Sequence, residues 1–391
     1  MEINPGRDRL AYVDDVRSFV IFLVVMIHAS VTYSGIGGWY VIVNRTESLD
    51  ALSTVVFSLF NSLNQAWFMG ILFFFGGNFA AEGLKRKGFA RFIKDRLLRL
   101  GLPLLAYMFV INPLMLYYVA FPGKLQVEGG FLDLYIGLYL GEGMVWSATG
   151  PLWFAETLLA FSLILALVMW LRQGLRGKTP DASPSRSIPS VSTLLLIAFA
   201  VALVAFAIRI VAPIGHEWMN LMLGFFSAYI ALFALGVIGA NGGWFSRLTS
   251  GLNVRWLWVV FLFGLPCWFV IVIAGGVLSG NLSSFYGGAT WQSAAYCLWE
   301  SFVAIGMSVG LTALFANRRK APGGLSAFFS RNSFSVYVFH PVFLIGLTRL
   351  FGGWAVAPLA KAAIVGTLAF TATVTFAELV IRRVPLVRKY F

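Results

Sequence analysis

The chain alternates between long, almost unbroken apolar runs and short polar connections. About 20 apolar residues cross a bilayer as a helix. Ten runs meet that length, at 16–34, 54–80, 100–121, 151–171, 191–213, 218–240, 255–278, 291–316, 333–351 and 355–381. Each is apolar nearly all round, as a helix in lipid must be. The pattern predicts an all-α polytopic membrane protein of about ten transmembrane helices, forming one domain over residues 1–391. Two connections differ from the rest. Residues 172–190 are polar, with Pro and Ser, and read as a flexible loop. Residues 122–150 are half apolar, with Phe131-Leu132-Asp133-Leu134-Tyr135 and Trp146, and read as an amphipathic element lying along the membrane interface. No internal repeat is evident, which lowers the expectation of an inverted-repeat transporter.

Composition agrees: 59% of residues are hydrophobic and 12% charged, against about 25% charged in soluble domains. The mean hydropathy is +0.83. The net charge of +13 would suit nucleic acid, but the basic residues follow the topology instead. With the N-terminus inside, 24 of the 29 Lys and Arg fall in inner segments, leaving Arg45, Lys124, Arg209, Arg349 and Lys361 in or near the outer half. That asymmetry predicts both termini in the cytoplasm. Asp8, Asp14 and Asp15 spoil a signal-peptide n-region, so the first run reads as an uncleaved anchor. Cys267 and Cys297 lie in apolar segments and read as small core residues, not as a disulfide or a metal site.

The first run opens Asp14-Asp15-Val16-Arg17 and closes on His28. Arg17 and His28 share a helix face three turns apart, a rise of about 16 Å. Asp14 lies one turn before Arg17 and can hold it. With Arg17 at the membrane surface, His28 falls near mid-bilayer, where an ionisable group marks a functional candidate. A neutral imidazole there can act as general base. His340 in the ninth run stands at a similar depth beyond Arg331, so the two histidines could meet if their helices are neighbours. Either could also simply satisfy a core hydrogen bond. Glu300 lies near the centre of the eighth run, as a partner for a buried base, a pocket wall or a protonated acid. Glu156 is shallower, about one and a half turns into the fourth run from outside, near Trp153. Glu378 is expected to pair with Arg382, one turn away. In the inner loop Arg96 and Arg99, three apart, are expected to point the same way and could hold phosphate, or could serve topology alone. No P-loop, dinucleotide-binding glycine pattern, metal-ligand cluster or Gly-x-Ser-x-Gly elbow is present.

These residues, taken in order, resemble the acyltransferase-3 family of bacterial membrane proteins. Arg17-x10-His28 preceded by Asp14 looks like its opening signature, and Arg96-x2-Arg99 with Gly101-x-Pro103 like its second. Phe74-Phe75-Gly76-Gly77-Asn78-Phe79 is similar to its second-span segment, although Gly76 and Asn78 replace the usual residues. Pro151-Leu152-Trp153-Phe154 resembles its Leu-Trp-Phe element, and Ser333 to Pro341 its late Ser-x-x-x-Tyr-x-x-His element. Trp153-Phe154 and Arg383-Val384-Pro385-Leu386 look most like the branch that succinylates periplasmic glucans. Glu156 is out of register with the Val-Glu-Glu run of many sugar O-acetylating members.

The resemblance implies a multi-pass enzyme of the bacterial inner membrane. It would move an acetyl- or succinyl-class group from cytoplasmic acyl-coenzyme A, a cosubstrate and not a bound cofactor, to a hydroxyl of an extracytoplasmic glycan or similar acceptor. It makes His28 essential and assigns the coenzyme A side to Arg96 and Arg99. The expected partners are donor, acceptor and membrane lipid, with no nucleic acid and no metal. His28 would act as base, Arg17 would join Arg96 and Arg99 at the donor phosphates with Asp14 holding it, and Glu300, His340, Glu156 and Trp153 would line the pocket. An acyl-histidine intermediate is an open alternative to direct transfer. The rival reading is a secondary transporter or exporter of a small polar or glycan-related solute.

Overall fold

A computed structural model describes residues 11–121, 130–176, 187–247, 251–317 and 324–385. Among the described residues, ten helices are long and apolar enough to cross a membrane. The described residues contain no strand beyond an isolated bridge between Trp218 and Leu221. The principal helices are α1 (Ala11–Ser34), α2 (Ala51–Lys87), α3 (Phe89–Ala120), the shorter α4 (Phe131–Gly141), α5 (Trp153–Arg176) and α6 (Val191–Val211). They continue as α7 (Phe226–Gly242), α8 (Val254–Ala274), α9 (Trp291–Asn317), α10 (Gly324–Leu350) and α11 (Pro358–Leu379). The ten expected runs are all present and most ends agree within several residues, but α3 starts at Phe89 where the run is expected from 100, and α10 at Gly324 where it is expected from 333. Part of the flexible-loop expectation for 172–190 falls outside the described residues, as do residues 122–129 of the outer stretch.

Local chemistry explains the helix ends. Asp50 starts α2 by accepting a hydrogen bond from the Ser53 amide at 2.9 Å, and the Ser53 hydroxyl that also donates to it holds its carboxyl below the usual range. Lys85, Arg86 and Lys87 sit at the C-terminus, where cations suit the helix dipole. Gly88, at φ +71°, then turns the chain. At 37 residues, α2 rises about 56 Å, well beyond the hydrocarbon of a bilayer.

Helix α1 is the hub. It packs against α2, α9, α10 and α11, and Val16, Val20, Val25 and Ala29 are fully buried. Helices α1 and α10 run parallel, with Arg17 opposite Ser330, Ser18 opposite Ser333 and His28 opposite His340. Lipid supplies no hydrophobic drive for helices to associate, so close packing of small residues matters. Helices α2 and α7 cross at Gly77 and Gly236, where a Cβ would overlap the Phe233 carbonyl from one side and the Phe74 carbonyl from the other. The glycine at position 77 is therefore a packing requirement here.

Two expectations about the outer stretch change. Helix α4 does not lie alone along an interface; it runs antiparallel down α3, with Phe131 against Tyr117 and Tyr118 and Tyr139 against Met108. The reason lies in α3, which is broken by Pro113 and a π-helical turn at Tyr107–Ile111. Proline has no N–H for the carbonyl four residues earlier, and that carbonyl, on Phe109, accepts from the Tyr135 hydroxyl at 3.1 Å. The second change concerns α5. Its preceding turn, Gly150–Leu152, is drawn into the bundle because the Tyr337 hydroxyl donates to the Pro151 carbonyl. Helix α5 thus begins level with Tyr337, midway along α10, not at an end of the bundle, and Trp153 and Glu156 sit correspondingly deeper.

Candidate active site

His340 is followed by Pro341 inside α10. The proline removes the amide that would have bonded the Tyr337 carbonyl. His340 takes that vacancy, its Nδ1 lying 2.9 Å from the Tyr337 carbonyl and 3.2 Å from that of Val336. Carbonyls only accept, so His340 Nδ1 carries a proton. In the neutral ring Nε2 is then an acceptor, and it lies 2.9 Å from His28 Nδ1. His28 Nδ1–H donates to it, which leaves the lone pair of His28 on Nε2. His340 has no exposed surface, whereas His28 keeps part of its surface open. The sequence Tyr337-Val338-Phe339-His340-Pro341 thus orients a base on a different helix.

The chain after α1 folds back over this pair. Gly35, at φ +68°, reverses direction, and Val43 N–H and the Asn44 side chain donate to the Thr32 and Tyr33 carbonyls at 2.8 and 2.9 Å. This returns the Trp39 indole to His28, with ring centroids 3.7 Å apart and planes 15° from parallel. Tyr40 follows into the interior, where burial keeps its hydroxyl well above the usual phenol range and therefore a donor. A directed chain results. Tyr107 donates to Tyr40 at 3.2 Å, and Tyr40 to Asn112 Oδ1 at 2.9 Å. The Asn112 amide donates to Tyr139 at 3.3 Å, and Tyr139 to the Met108 carbonyl. Gly150, at φ +51°, passes so close to the Tyr40 and Tyr107 hydroxyls that a Cβ would overlap them.

At the end of the bundle where α1 and α10 begin, Arg17 Nη2 lies 3.1 Å from Asp14 Oδ1, 3.1 Å from the Ser330 carbonyl and 3.3 Å from Ser330 Oγ. Ser18 Oγ meets Ser333 Oγ at 3.0 Å. Asp14, Arg17, His28 and His340 therefore lie along one seam. Trp153 packs near Tyr229 at 5.6 Å and Phe154 near Tyr337 at 6.3 Å. Glu156, half-buried beyond them, has one carboxylate oxygen buried without a hydrogen-bond partner.

Three expected groupings come out differently. Glu300 neither meets the histidines nor stands as a lone protonated acid: it pairs with Arg209, which is fully buried. Arg209 also donates to the Gly224 carbonyl at 3.1 Å and to Cys297 Sγ at 3.4 Å, and packs on the Phe225 ring. Arg96 and Arg99 do not point together. Arg96 turns inward onto the Phe79 carbonyl at 3.2 Å and the Phe92 ring, while the exposed Arg99 reaches Asp95 at 2.9 Å. A π-helical turn at Leu97–Gly101 intervenes, and its wider winding spreads side chains that an α-helix would align. Glu378 pairs chiefly with Arg331, at 2.7 and 3.1 Å, and with Asn332 at 2.8 Å, while Arg382 stands off at 3.5 Å.

A family model described as an acyltransferase domain matches residues 10–380. The chain belongs to the acyltransferase-3 family. No curated protein and no solved structure matches it. The match runs from the base of α1 to the end of α11, so an acyltransferase-3 protein is a multi-pass membrane acyltransferase here over nearly its whole length. Sequence reasoning missed Trp39, Tyr40 and Asn112, which sit in or beside a connection and a proline-broken helix. It placed Arg209 only by topology, although an arginine inside the apolar run 191–211 was itself a signal that a buried acid lay opposite.

Proposed function

We propose that this acyltransferase takes an acyl group of the acetyl or succinyl class from cytoplasmic acyl-coenzyme A. It delivers the group to a hydroxyl of an extracytoplasmic glycan, in the inner membrane of a bacterium. The observation that carries this reading is the hydrogen bond from His28 Nδ1 to His340 Nε2, backed by the Tyr337 carbonyl. It supports Nε2 of His28 as the basic atom. The acceptor oxygen attacks the thioester carbonyl carbon while His28 Nε2 takes its proton. The carbon–sulfur bond then breaks, and the proton passes to the departing sulfur to give the free thiol. General base catalysis of this kind contributes about 10²–10⁴-fold. His340 holds the imidazole in one tautomer and orientation and makes no contact with the reacting atoms.

The distribution of Lys and Arg supports an inner origin for the donor. Arg99, exposed beside Arg96, is the side chain best placed for its phosphates. Arg17 is committed to Asp14 and Ser330 and serves the seam between α1 and α10. The test uses membranes containing the protein, radiolabelled acetyl- or succinyl-coenzyme A and a glucan acceptor. Wild type should place label on the glycan and His28→Ala should not. Full transfer by His28→Ala would overturn the assignment, and uptake of solute without labelled product would identify a transporter.

A further inference from the structure

Trp39 has no part in the reaction just described, yet its indole makes the closest ring contact with His28. With centroids 3.7 Å apart and planes 15° from parallel, the two rings meet face to face. The indole is also parallel to His340, with 11° between planes and centroids 5.9 Å apart. The connection that carries it is anchored on both flanks. The Asn61 amide donates to the Ile36 carbonyl at 3.1 Å. Tyr40, edge-on to the indole at 5.0 Å, is tied to Tyr107 and Asn112.

In the step proposed above, His28 starts neutral and becomes charged. The acceptor's proton moves to Nε2 and makes an imidazolium, while the negative charge passes to the thioester oxygen. The proton then leaves on the sulfur as the carbon–sulfur bond breaks. A charge inside a protein is costly unless it is paired. Arg17, Arg209 and Arg331 each have a carboxylate. Among the described residues, no carboxylate lies within ion-pair distance of His28 or His340. His340 Nε2 meets the His28 ring in its plane, and the indole covers its face. That indole face carries the negative part of the ring quadrupole, so it attracts a cation more strongly than a neutral ring. An interaction that strengthens on the way to the transition state is the kind that accelerates a step. We propose that the face of Trp39 stabilises the His28 imidazolium in the transition state, where the site has no carboxylate to do so. Trp39 acts only through His28, and the inference rests on the general-base reading above.

The experiment measures the single-turnover rate of acyl transfer from radiolabelled succinyl- or acetyl-coenzyme A to a glucan oligosaccharide. It uses purified protein with mono-, di- or trifluorotryptophan inserted at position 39. Each fluorine withdraws electron density from the ring face and barely alters its shape. The logarithm of the rate should fall in equal steps with fluorine number. The trifluoro ring should be about tenfold slower, the equivalent of about 1.4 kcal/mol, with the acyl-coenzyme A concentration for half-maximal rate unchanged. Trp39→Leu, which keeps bulk without an aromatic face, should lose at least as much, and Trp39→Phe less. Rates independent of fluorine number overturn the proposal, even where Trp39→Leu is slow or fails to fold, because packing alone does not respond to fluorine. Failure of the underlying reading looks different. Wild type would then leave the thioester intact, or His28→Ala would transfer as well as wild type, and both proposals would fall.

Discussion

Two polar couples are buried between helices of this bundle, and they are built in opposite ways. Arg209 and Glu300 join α6 to α9 as a charged pair, and the remaining guanidinium bonds go to a carbonyl and a thiol, with an aromatic ring beneath. Both side chains are almost completely enclosed. His28 and His340 join α1 to α10 through one hydrogen bond between uncharged rings, with a carbonyl behind one ring and accessible surface beside the other. In a low-dielectric interior the first couple holds charge by closing around it. The second keeps one lone pair uncommitted. The difference is one of access: Glu300 Oε1 also lacks a hydrogen-bond partner but is enclosed, whereas His28 keeps part of its surface open.

That contrast can be broken by substitution. The largest effect is expected from His28→Ala, a loss of about 10²–10⁴-fold in acyl transfer, with the helical circular dichroism and detergent melting curve close to wild type. Arg209→Met should do the reverse. It leaves the Glu300 carboxylate buried without its partner, which costs about 3–5 kcal/mol of stability. Thermal unfolding in detergent should show the loss, and Arg209→Met combined with Glu300→Met should recover much of it. Destabilisation by His28→Ala as great as by Arg209→Met would erase the distinction. His340→Phe comes next. It keeps the ring but not the acceptor for His28 Nδ1–H, so the base remains and its orientation is lost. Small misplacements of catalytic groups cost about 10²-fold, and the fall should appear in kcat with KM for acyl-coenzyme A nearly unchanged.

The spans were legible because a transmembrane helix is written in apolar length alone. The first seam was legible in part: Asp14, Arg17 and His28 keep helical spacing within one element, and His-Pro at 340–341 marks a carbonyl freed four residues before the proline. What was not legible depends on contacts between distant elements. Arg209 and Glu300 are 91 residues apart, and nothing local pairs them. The depth of Glu156 followed from one hydroxyl, that of Tyr337, pulling the Pro151 turn inward. Arg96 and Arg99 looked aligned because α-helical spacing was assumed through Leu97–Gly101, where the winding is π. Trp39 sits in a connection without periodicity, and only the backbone reversal at Gly35 brings it to His28.

The smallest effect should come from the lower end of the histidine seam, and it tests what Arg17 is for. Removing the Ser330 hydroxyl in Ser330→Ala leaves the Ser330 carbonyl and Asp14 still bonded to Arg17. Transfer should therefore fall by less than about fivefold, the equivalent of ~1 kcal/mol for one hydrogen bond. Arg17→Lys is the sharper variant, because the Asp14 and Ser330 contacts are made from Nη2 at the far end of a planar guanidinium, a placement that a compact, strongly hydrated ammonium does not reproduce. If Arg17 aligns α1 on α10, Lys at this position lowers kcat and leaves KM for acyl-coenzyme A in place, since the two helices slip but the phosphates are held elsewhere. A guanidinium that held the donor would give the opposite split, with KM rising at nearly constant kcat. The same split measured on Arg99→Ala supplies the reference, because that side chain is exposed, is the one proposed for the donor phosphates and touches neither histidine. Arg17→Lys resembling Arg99→Ala would make the α1–α10 seam a donor site; resembling His340→Phe would make it a single aligned unit from Arg17 to the base.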